Sequence, residues 1–388
     1  MSKKKICVFT GTRAEYGLLK PLMEEIKKDS ELELDVVVSG MHLSPEFGLT
    51  YREVERDGFC VSDKVEMLLS SDTPVGVAKS IGLGIIGYSE ALDRLKPEIV
   101  VVLGDRFEAM AFALASFTLR IPIAHLYGGE LTKGVLDDGY RHSITKLSTL
   151  HFTSTEEYRK RVIQLGEEPS RVFNVGALGL DNIKRLDLLK KEEVEERLGV
   201  RLKRKNLLIT FHPVSTDLKE IERQTIELLS ALDSLEDTLL IFTKANADSG
   251  GRKINEIIEK YVENNRGKAV LFSNMGQLLY LSTMQFVDAV VGNSSSGIIE
   301  APSFKIGTIN IGDRQQGRVK AKSVLDCSPD RKSIERAIEH LYSEDFQKDL
   351  KRVINPYGDG NAAQRIVERL KSWNGTVEKS FYDIDFKY

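Results

Sequence analysis

Several short apolar runs in this chain end in polar side chains able to handle an anion or move a proton. After Ile6–Thr10 comes Gly11-Thr12-Arg13-Ala14-Glu15-Tyr16. A glycine behind a strand admits close approach of a ligand to the backbone, and the helix that follows offers N–H groups to an anion. Arg13 could close on a phosphate with its planar fork, although an ordinary turn with a surface arginine uses the same residues. After Ile99–Leu103 comes Gly104-Asp105-Arg106-Phe107-Glu108, where Asp105 is either a carboxylate at a ligand's edge or the cap of the next helix. His125-Leu126-Tyr127-Gly128-Gly129-Glu130 follows the next run and leads into a polar loop with Asp137, Asp138, Arg141 and His142. Paired carboxylates and a histidine within one strand end suit general acid–base chemistry, and a solvated loop is the competing explanation.

In the second half, Thr210-Phe211-His212-Pro213 puts a histidine at a strand end. The sharpest signal is Gly292-Asn293-Ser294-Ser295-Ser296-Gly297-Ile298-Ile299-Glu300, directly behind Ala289–Val291. Small hydroxyl residues opening a helix form a cradle of N–H and O–H donors for an anion. Glu300, one or two turns into that helix, could bind two adjacent ribose hydroxyls. Arg314 follows the next strand as a cationic partner. No GxSxG elbow is present, so a hydrolase triad is not the explanation. The residues alone leave transfer, hydrolysis and simple binding open.

Composition narrows the partners. The 388 residues carry a net charge of −3, with 41% hydrophobic and 29% charged residues. No bulk basic field would draw nucleic acid or an anionic membrane. The start, MSKKKICVFTGTR, lacks the apolar core of a signal peptide, and no apolar run reaches the roughly 20 residues that span a bilayer. Three scattered cysteines (Cys7, Cys60, Cys327) without a CxxC indicate reduced thiols in a cytoplasm. The histidines show no metal spacing, so neither metal nor cofactor is expected. Gly82-Leu-Gly84-Ile-Ile-Gly87 spells the dinucleotide fingerprint but lies inside a helix-like run. It therefore lacks the strand-to-helix turn that gives the motif its meaning and reads as packing glycines.

The elements that must hold these residues alternate. Strand-like runs at Ile6–Thr10, Asp35–Ser39, Ile99–Leu103, Pro122–His125 and His151–Thr153 are separated by amphipathic stretches such as Leu18–Lys28 and Phe107–Thr118. The pattern restarts with Leu207–Phe211, Leu239–Thr243, Ala269–Phe272, Ala289–Val291 and Gly307–Ile311. Near-continuous apolar strands between helices indicate parallel sheets covered on both faces. The fold class expected is α/β: two Rossmann-like domains, residues 1–178 and 179–360, facing across a cleft. A C-terminal helix at about 361–388 is expected to rejoin the first domain.

In order along the chain, GTRAEYG, LGDRFE, HLYGGE, the DDxxRHSITK run, FHP, GNSSSGxxE, INIGDRQxGR and YGDGNA resemble the hydrolysing UDP-N-acetylglucosamine 2-epimerases, from residue 6 to about 370. The resemblance implies a GT-B-like fold and a reaction without NAD or a metal. It implies that Arg13, His212, Asn246, Ser294, Ser295, Glu300 and Arg314 bind UDP. Asp105 and Asp137 would then act at the sugar, with Arg106 among the substrate-binding residues and His125, Glu130 and Arg141 lining the sugar. Many relatives carry a catalytic Glu where this chain has Tyr127. The phenol suits a proton donor, so either Asp105, Asp137, Glu130 or His125 takes the base role or the substrate differs. The reaction implied converts UDP-N-acetylglucosamine to N-acetylmannosamine and UDP through a 2-acetamidoglycal, supplying sialic acid synthesis. The alternatives are the same chemistry on UDP-N,N′-diacetylbacillosamine for legionaminic acid, a GT-B glycosyltransferase, or a sugar-nucleotide sensor. The partner expected is a UDP-sugar, with no nucleic acid and no membrane, in a cytoplasmic homo-oligomer (dimer or tetramer).

Overall fold

The computed structural model describes residues 3–69, 71, 73–131, 136–214, 217–245, 250–375 and 377–385. The chain forms two compact units, residues 1–182 with 357–388 and residues 183–356.

The first unit is built on seven strands: β1 (Lys4–Thr10), β2 (Leu32–Ser39), β3 (Asp63–Val65), β4 (Ile99–Leu103), β5 (Ile123–Leu126), β6 (Leu150–Thr153) and β7 (Val172–Asn174). They pair in the order β3-β2-β1-β4-β5-β6-β7, every pairing parallel. Ile6, Val8 and Val101 face one way, against Leu19, Leu22 and Ile26 of the Arg13–Lys28 helix. Cys7, Phe9, Val100 and Val102 face the other, against Tyr88, Ala109 and Phe112. Both faces are buried, which is why the strands read as unbroken apolar runs. The Ala362–Ser372 helix packs Ile366 and Leu370 into the first face. Its first N–H groups, on Ala362 and Ala363, donate to the buried Asp181 carboxylate at 2.9 and 2.8 Å, a cap supplied from far away in sequence. Helix ends at Ser372, short of the expected 388, and residues 377–385 form no helix or strand.

The second unit repeats the scheme with β8 (Lys205–Thr210), β9 (Thr238–Thr243), β10 (Ala269–Phe272), β11 (Ala289–Gly292), β12 (Gly307–Ile311) and β13 (Val324–Cys327). Their order is β10-β9-β8-β11-β12-β13, again parallel. Each sheet is a doubly wound Rossmann-like layer whose order reverses beside its first strand. The carboxyl ends of β1/β4 and of β8/β11 are thus the places where such sheets bind ligands. Gly84 and Gly87 of the fingerprint look-alike lie within the Pro74–Leu95 helix. A Cβ on Gly87 would stand 2.6 Å from Val65, and one on Gly84 3.0 Å from Tyr88; these are packing glycines. No helix among the described residues is long and apolar enough to cross a membrane.

Candidate functional site

In the first unit, Arg141 is the hub. The polar run after Glu130, expected as a loop, is helical from Leu136 to Leu147. Asp138, Arg141 and His142 fall on one side of that helix through their i+3 and i+4 spacing. The Arg141 side chain is 6% exposed. One guanidinium nitrogen donates to Asp105, and the other donates to Asp138 Oδ1 at 2.6 Å and the Glu130 carbonyl at 2.8 Å. Asp105 is therefore not a helix cap: Arg106 holds that position without a side-chain bond, and the Asp105 carboxylate goes to Arg141 instead. Arg106 forks onto the buried Glu108 at 2.9 and 3.2 Å. Asp137 is exposed at the start of the helix. Partial desolvation and the nearby Asp105 charge push its carboxyl pKa up, against the pull of Arg106 and Arg141.

His125 lies behind this cluster and is fully buried. Its Nε2 donates to the Gly104 carbonyl at 2.8 Å, and its Nδ1 pairs with Thr145 Oγ1 at 3.1 Å. Burial pulls its pKa to about 3. A neutral ring with both nitrogens engaged ties the loop before Asp105 to the helix carrying Arg141; it presents no free nitrogen to a sugar, contrary to the catalytic place expected for it. Glu130 accepts from Ser154 Oγ at 2.9 Å. Tyr127 is half-buried with φ of 65°, a left-handed conformation rare outside glycine, its N–H held by the Phe152 carbonyl at 3.0 Å and its ring against the sheet core. Such backbone costs about 1–3 kcal/mol and persists where surroundings enforce it, often at functional sites.

Behind β1, the expected anion cradle is already filled. The Gly11 and Thr12 N–H groups donate to Glu15 Oε2 at 2.8 and 3.2 Å, completing a capping box with Thr12. Burial raises the Glu15 pKa to about 7. Arg13 reaches sideways to Glu53 at 2.9 Å and stays 62% exposed, a surface pair that adds little stability.

The second unit gathers a different set around Asn293. Its side-chain amide accepts from the His212 N–H at 2.7 Å and donates to the His212 carbonyl at 2.8 Å, joining the ends of β8 and β11. Its own carbonyl accepts from Arg314 at 3.1 Å and Gln315 at 2.9 Å. The strands come this close because residue 292 is glycine: φ is 127°, and a Cβ would lie 2.0 Å from the Thr210 carbonyl oxygen. Ser294 caps the one-turn Ser295–Ile299 helix through the Ser296 N–H. Glu300 is the C-cap residue of that helix, between one and two turns from its start as expected. Its Oε2 is buried with no hydrogen-bond partner, and burial raises its pKa to about 7 despite Ser296 and the charge of Arg318. Beside it, the Tyr280 hydroxyl meets Ser296, Thr210 and Ser294. A buried acceptor among hydroxyls and a cation is suited to a polyhydroxyl ligand.

Thus Asp105, Glu130, Asp137 and Arg141 share one cluster, and His212, Ser294, Ser295, Glu300 and Arg314 another. Arg13 and Arg106 pair with their own glutamates, and Asn246 lies outside the described residues. Sequence reasoning named Ser296 in the cradle and missed Tyr280, Gln315 and Arg318. Gln315 and Arg318 were legible in the INIGDRQxGR segment; Tyr280 sits in a helix with no motif of its own.

Residues 24–371 match the profile of the family described as UDP-N-acetylglucosamine 2-epimerase. The GDP/UDP-N,N′-diacetylbacillosamine 2-epimerase (hydrolyzing) of Campylobacter jejuni is 45% identical over 99% of this chain and 100% of its own. The polysialic acid biosynthesis protein P7 of Escherichia coli is 37% identical over 98% of both chains. Among solved structures, UDP-GlcNAc 2-epimerase from Neisseria meningitidis, bound to UDP-GlcNAc, superposes with a TM-score of 0.76 at 20% identity, covering 95% of this chain and 99% of that one. That likeness carries the fold, two Rossmann-like α/β domains of the GT-B-like kind. With its profile match, its full-length relatives and its two doubly wound sheets in agreement, the chain belongs to the UDP-N-acetylglucosamine 2-epimerase family.

Proposed function

We propose that this chain is a hydrolysing 2-epimerase that takes UDP-N,N′-diacetylbacillosamine, releasing UDP and the C2 epimer of the free sugar. The observation that carries the reading is the 45% identity, end to end, to the Campylobacter jejuni enzyme of that name. Sequence motifs put UDP-N-acetylglucosamine first and this sugar second; the full-length similarity reverses that order. The Neisseria meningitidis relative named UDP-N-acetylglucosamine 2-epimerase, at 31% identity, keeps UDP-N-acetylglucosamine as the second reading.

In the proposed reaction a carboxylate removes the C2 proton while the C1–oxygen bond breaks and UDP leaves. Water then adds its oxygen to C1 of the glycal, and a proton returns to C2 from the other face. Asp105, oriented by Arg141, is assigned the base. Asp137, whose carboxyl pKa is raised by burial and the neighbouring Asp105 charge, is assigned the acid. Tyr127 and Glu130 are assigned to the sugar as well, and His125 to the positioning of Asp105 and Arg141. Arg106 is assigned to substrate binding. Ser294, Ser295, His212 and Arg314, with Arg13 and Asn246, are assigned to the diphosphate and nucleoside, and Glu300 to the ribose hydroxyls. The chain would serve a UDP-sugar in the cytoplasm as a homo-oligomer.

The test is a comparison of kcat/KM on UDP-N,N′-diacetylbacillosamine, its GDP-linked counterpart and UDP-N-acetylglucosamine. The second sugar nucleotide is included because the Campylobacter jejuni name covers both bases. The proposal expects the diacetamido sugar to win by roughly 10-fold or more, since each mismatched polar group costs about 1–3 kcal/mol. A higher value on UDP-N-acetylglucosamine would overturn the choice of sugar.

A further inference from the structure

The reaction assigned above uses the Leu136–Leu147 helix through Arg141, and that helix is gripped at its C-terminal end by the tail of the chain. Glu167, its side chain 2% exposed, accepts from Lys146 Nζ at 2.6 Å, His151 Nε2 at 3.0 Å and Lys379 Nζ at 2.8 Å. Burial alone would raise the Glu167 pKa; these three donors hold it at about 2. His151 Nδ1 is buried without a partner, so its ring proton belongs on Nε2, facing the carboxylate.

Lys379 does more than pair with Glu167. Its Nζ also donates to the Ser148 carbonyl at 2.6 Å and reaches that of Thr145 at 3.5 Å. These are carbonyls of the helix's last turn and the residue just past it, where an ammonium satisfies orphan acceptors and opposes the negative end of the macrodipole. The strap carrying Lys379 is itself fastened. Arg171 donates to the Glu378 carbonyl at 3.0 Å, and the Tyr382 N–H donates to the Gly166 carbonyl at 2.9 Å. Phe381 lies flat on Gly166, where φ is +85° and a Cβ would stand 2.3 Å from the ring.

The capped turn leads straight to the site. Thr145 Oγ1 lies 3.0 Å from the Arg141 carbonyl and 3.1 Å from His125 Nδ1, the ring whose Nε2 donates to the carbonyl of Gly104, the residue before Asp105. We infer that Lys379 is a positioning residue for the epimerase reaction: by capping the Leu136–Leu147 helix from the C-terminal strap, it holds Arg141 where it meets Asp105. The inference rests on the proposed function only in taking Arg141 and Asp105 as working residues.

The test uses the full chain with Lys379→Met, Lys379→Arg and, because the first could compromise folding, Phe381→Ala, which loosens the strap but keeps the ammonium. Amide hydrogen exchange is read over residues 136–147 and over the Glu156–Gln164 helix as a control. In Lys379→Met, exchange over 136–147 is expected to accelerate about 10-fold or more while the control stays put. Turnover is expected to fall about 10-fold, the scale of a small displacement at a reacting centre, with UDP affinity unchanged. Lys379→Arg should restore most of both, and Phe381→Ala should show a weaker version of the same pattern. Unchanged exchange over 136–147 in Lys379→Met and Phe381→Ala overturns the cap. Faster exchange with parental turnover overturns the positioning role. If the parent turns over no nucleotide sugar, the functional reading has failed, and hydrogen exchange still decides the cap by itself.

Discussion

Arg141 and Asp105 lie 36 positions apart and meet as an ion pair at the carboxyl end of β4, with the arginine almost fully enclosed. The guanidinium reads three acceptors at once: Asp105, Asp138 and the backbone of Glu130. Lysine offers a point charge in place of that fork. Arg141→Lys is therefore expected to lower kcat by roughly 10²-fold, on the scale of losing a positioned acid–base group, while UDP binding by calorimetry stays within error. Asp105→Asn should do the same. Equal loss of UDP affinity in both variants would show that this end of the protein binds nucleotide.

Glu300 gives a prediction with a sign. Its pKa is raised from 4.5 to about 7 by burial, so the folded state binds more protons than the unfolded state between those values. Stability from this group is present at low pH and is lost as pH rises from about 4.5 through 7. Glu300→Gln, which cannot ionise, should thus gain stability relative to the parent on going from pH 5 to pH 8, by roughly 1–3 kcal/mol. Urea unfolding at the two pH values measures it, and a parallel shift of both proteins contradicts the burial argument. Glu300→Ala should also weaken UDP binding by roughly 1–3 kcal/mol, as a lost charged partner does.

His125 has the opposite sign. Burial depresses its pKa from 6.5 to about 3, so the unfolded state binds the extra proton. The stability it contributes is complete above about pH 6.5 and is lost as pH falls toward 3. Its imidazole NMR signals should stay fixed from pH 8 to pH 5; a titration with a midpoint near 6.5 would mean that the ring is not enclosed as described.

Much of this was legible from residues alone, and the failures have physical causes. The central strands β1, β4, β8 and β11 announce themselves because burial on both faces demands unbroken Val, Ile and Leu. Three of the four edge strands, β3 (DKV), β7 (VFN) and β13 (VLDC), do not; an edge, covered on fewer sides, needs no such run. The Leu136–Leu147 helix read as a loop because its Asp, Arg and His residues, which serve one another and the Asp105 end of β4, outweigh the sparse apolar positions Tyr140, Ile144 and Leu147. Arg141 and Asp105 were each singled out, but their pairing is a tertiary fact that spacing cannot encode. The expected phosphate role for the turn at Gly11 overlooked Glu15, three residues past the Thr12 cap, the capping-box position that claims those N–H groups.

Tyr127 tests how the strained end of β5 is used. With the ring against the sheet core and the backbone held left-handed, Tyr127→Phe keeps the ring and removes only the hydroxyl. Turnover is expected to drop by about 10-fold or more with little change in substrate affinity, as for a proton donor. Parental turnover in Tyr127→Phe would leave the residue a packing role only.

In the proposed reaction C2 is deprotonated and reprotonated while UDP is released. Proton NMR of the reaction in heavy water, run on UDP-N,N′-diacetylbacillosamine and on UDP-N-acetylglucosamine, reads it directly. Free UDP and a released sugar of manno configuration carrying one solvent deuteron at C2 are expected. A product that keeps the gluco configuration, or that retains its original C2 proton, would contradict that reaction.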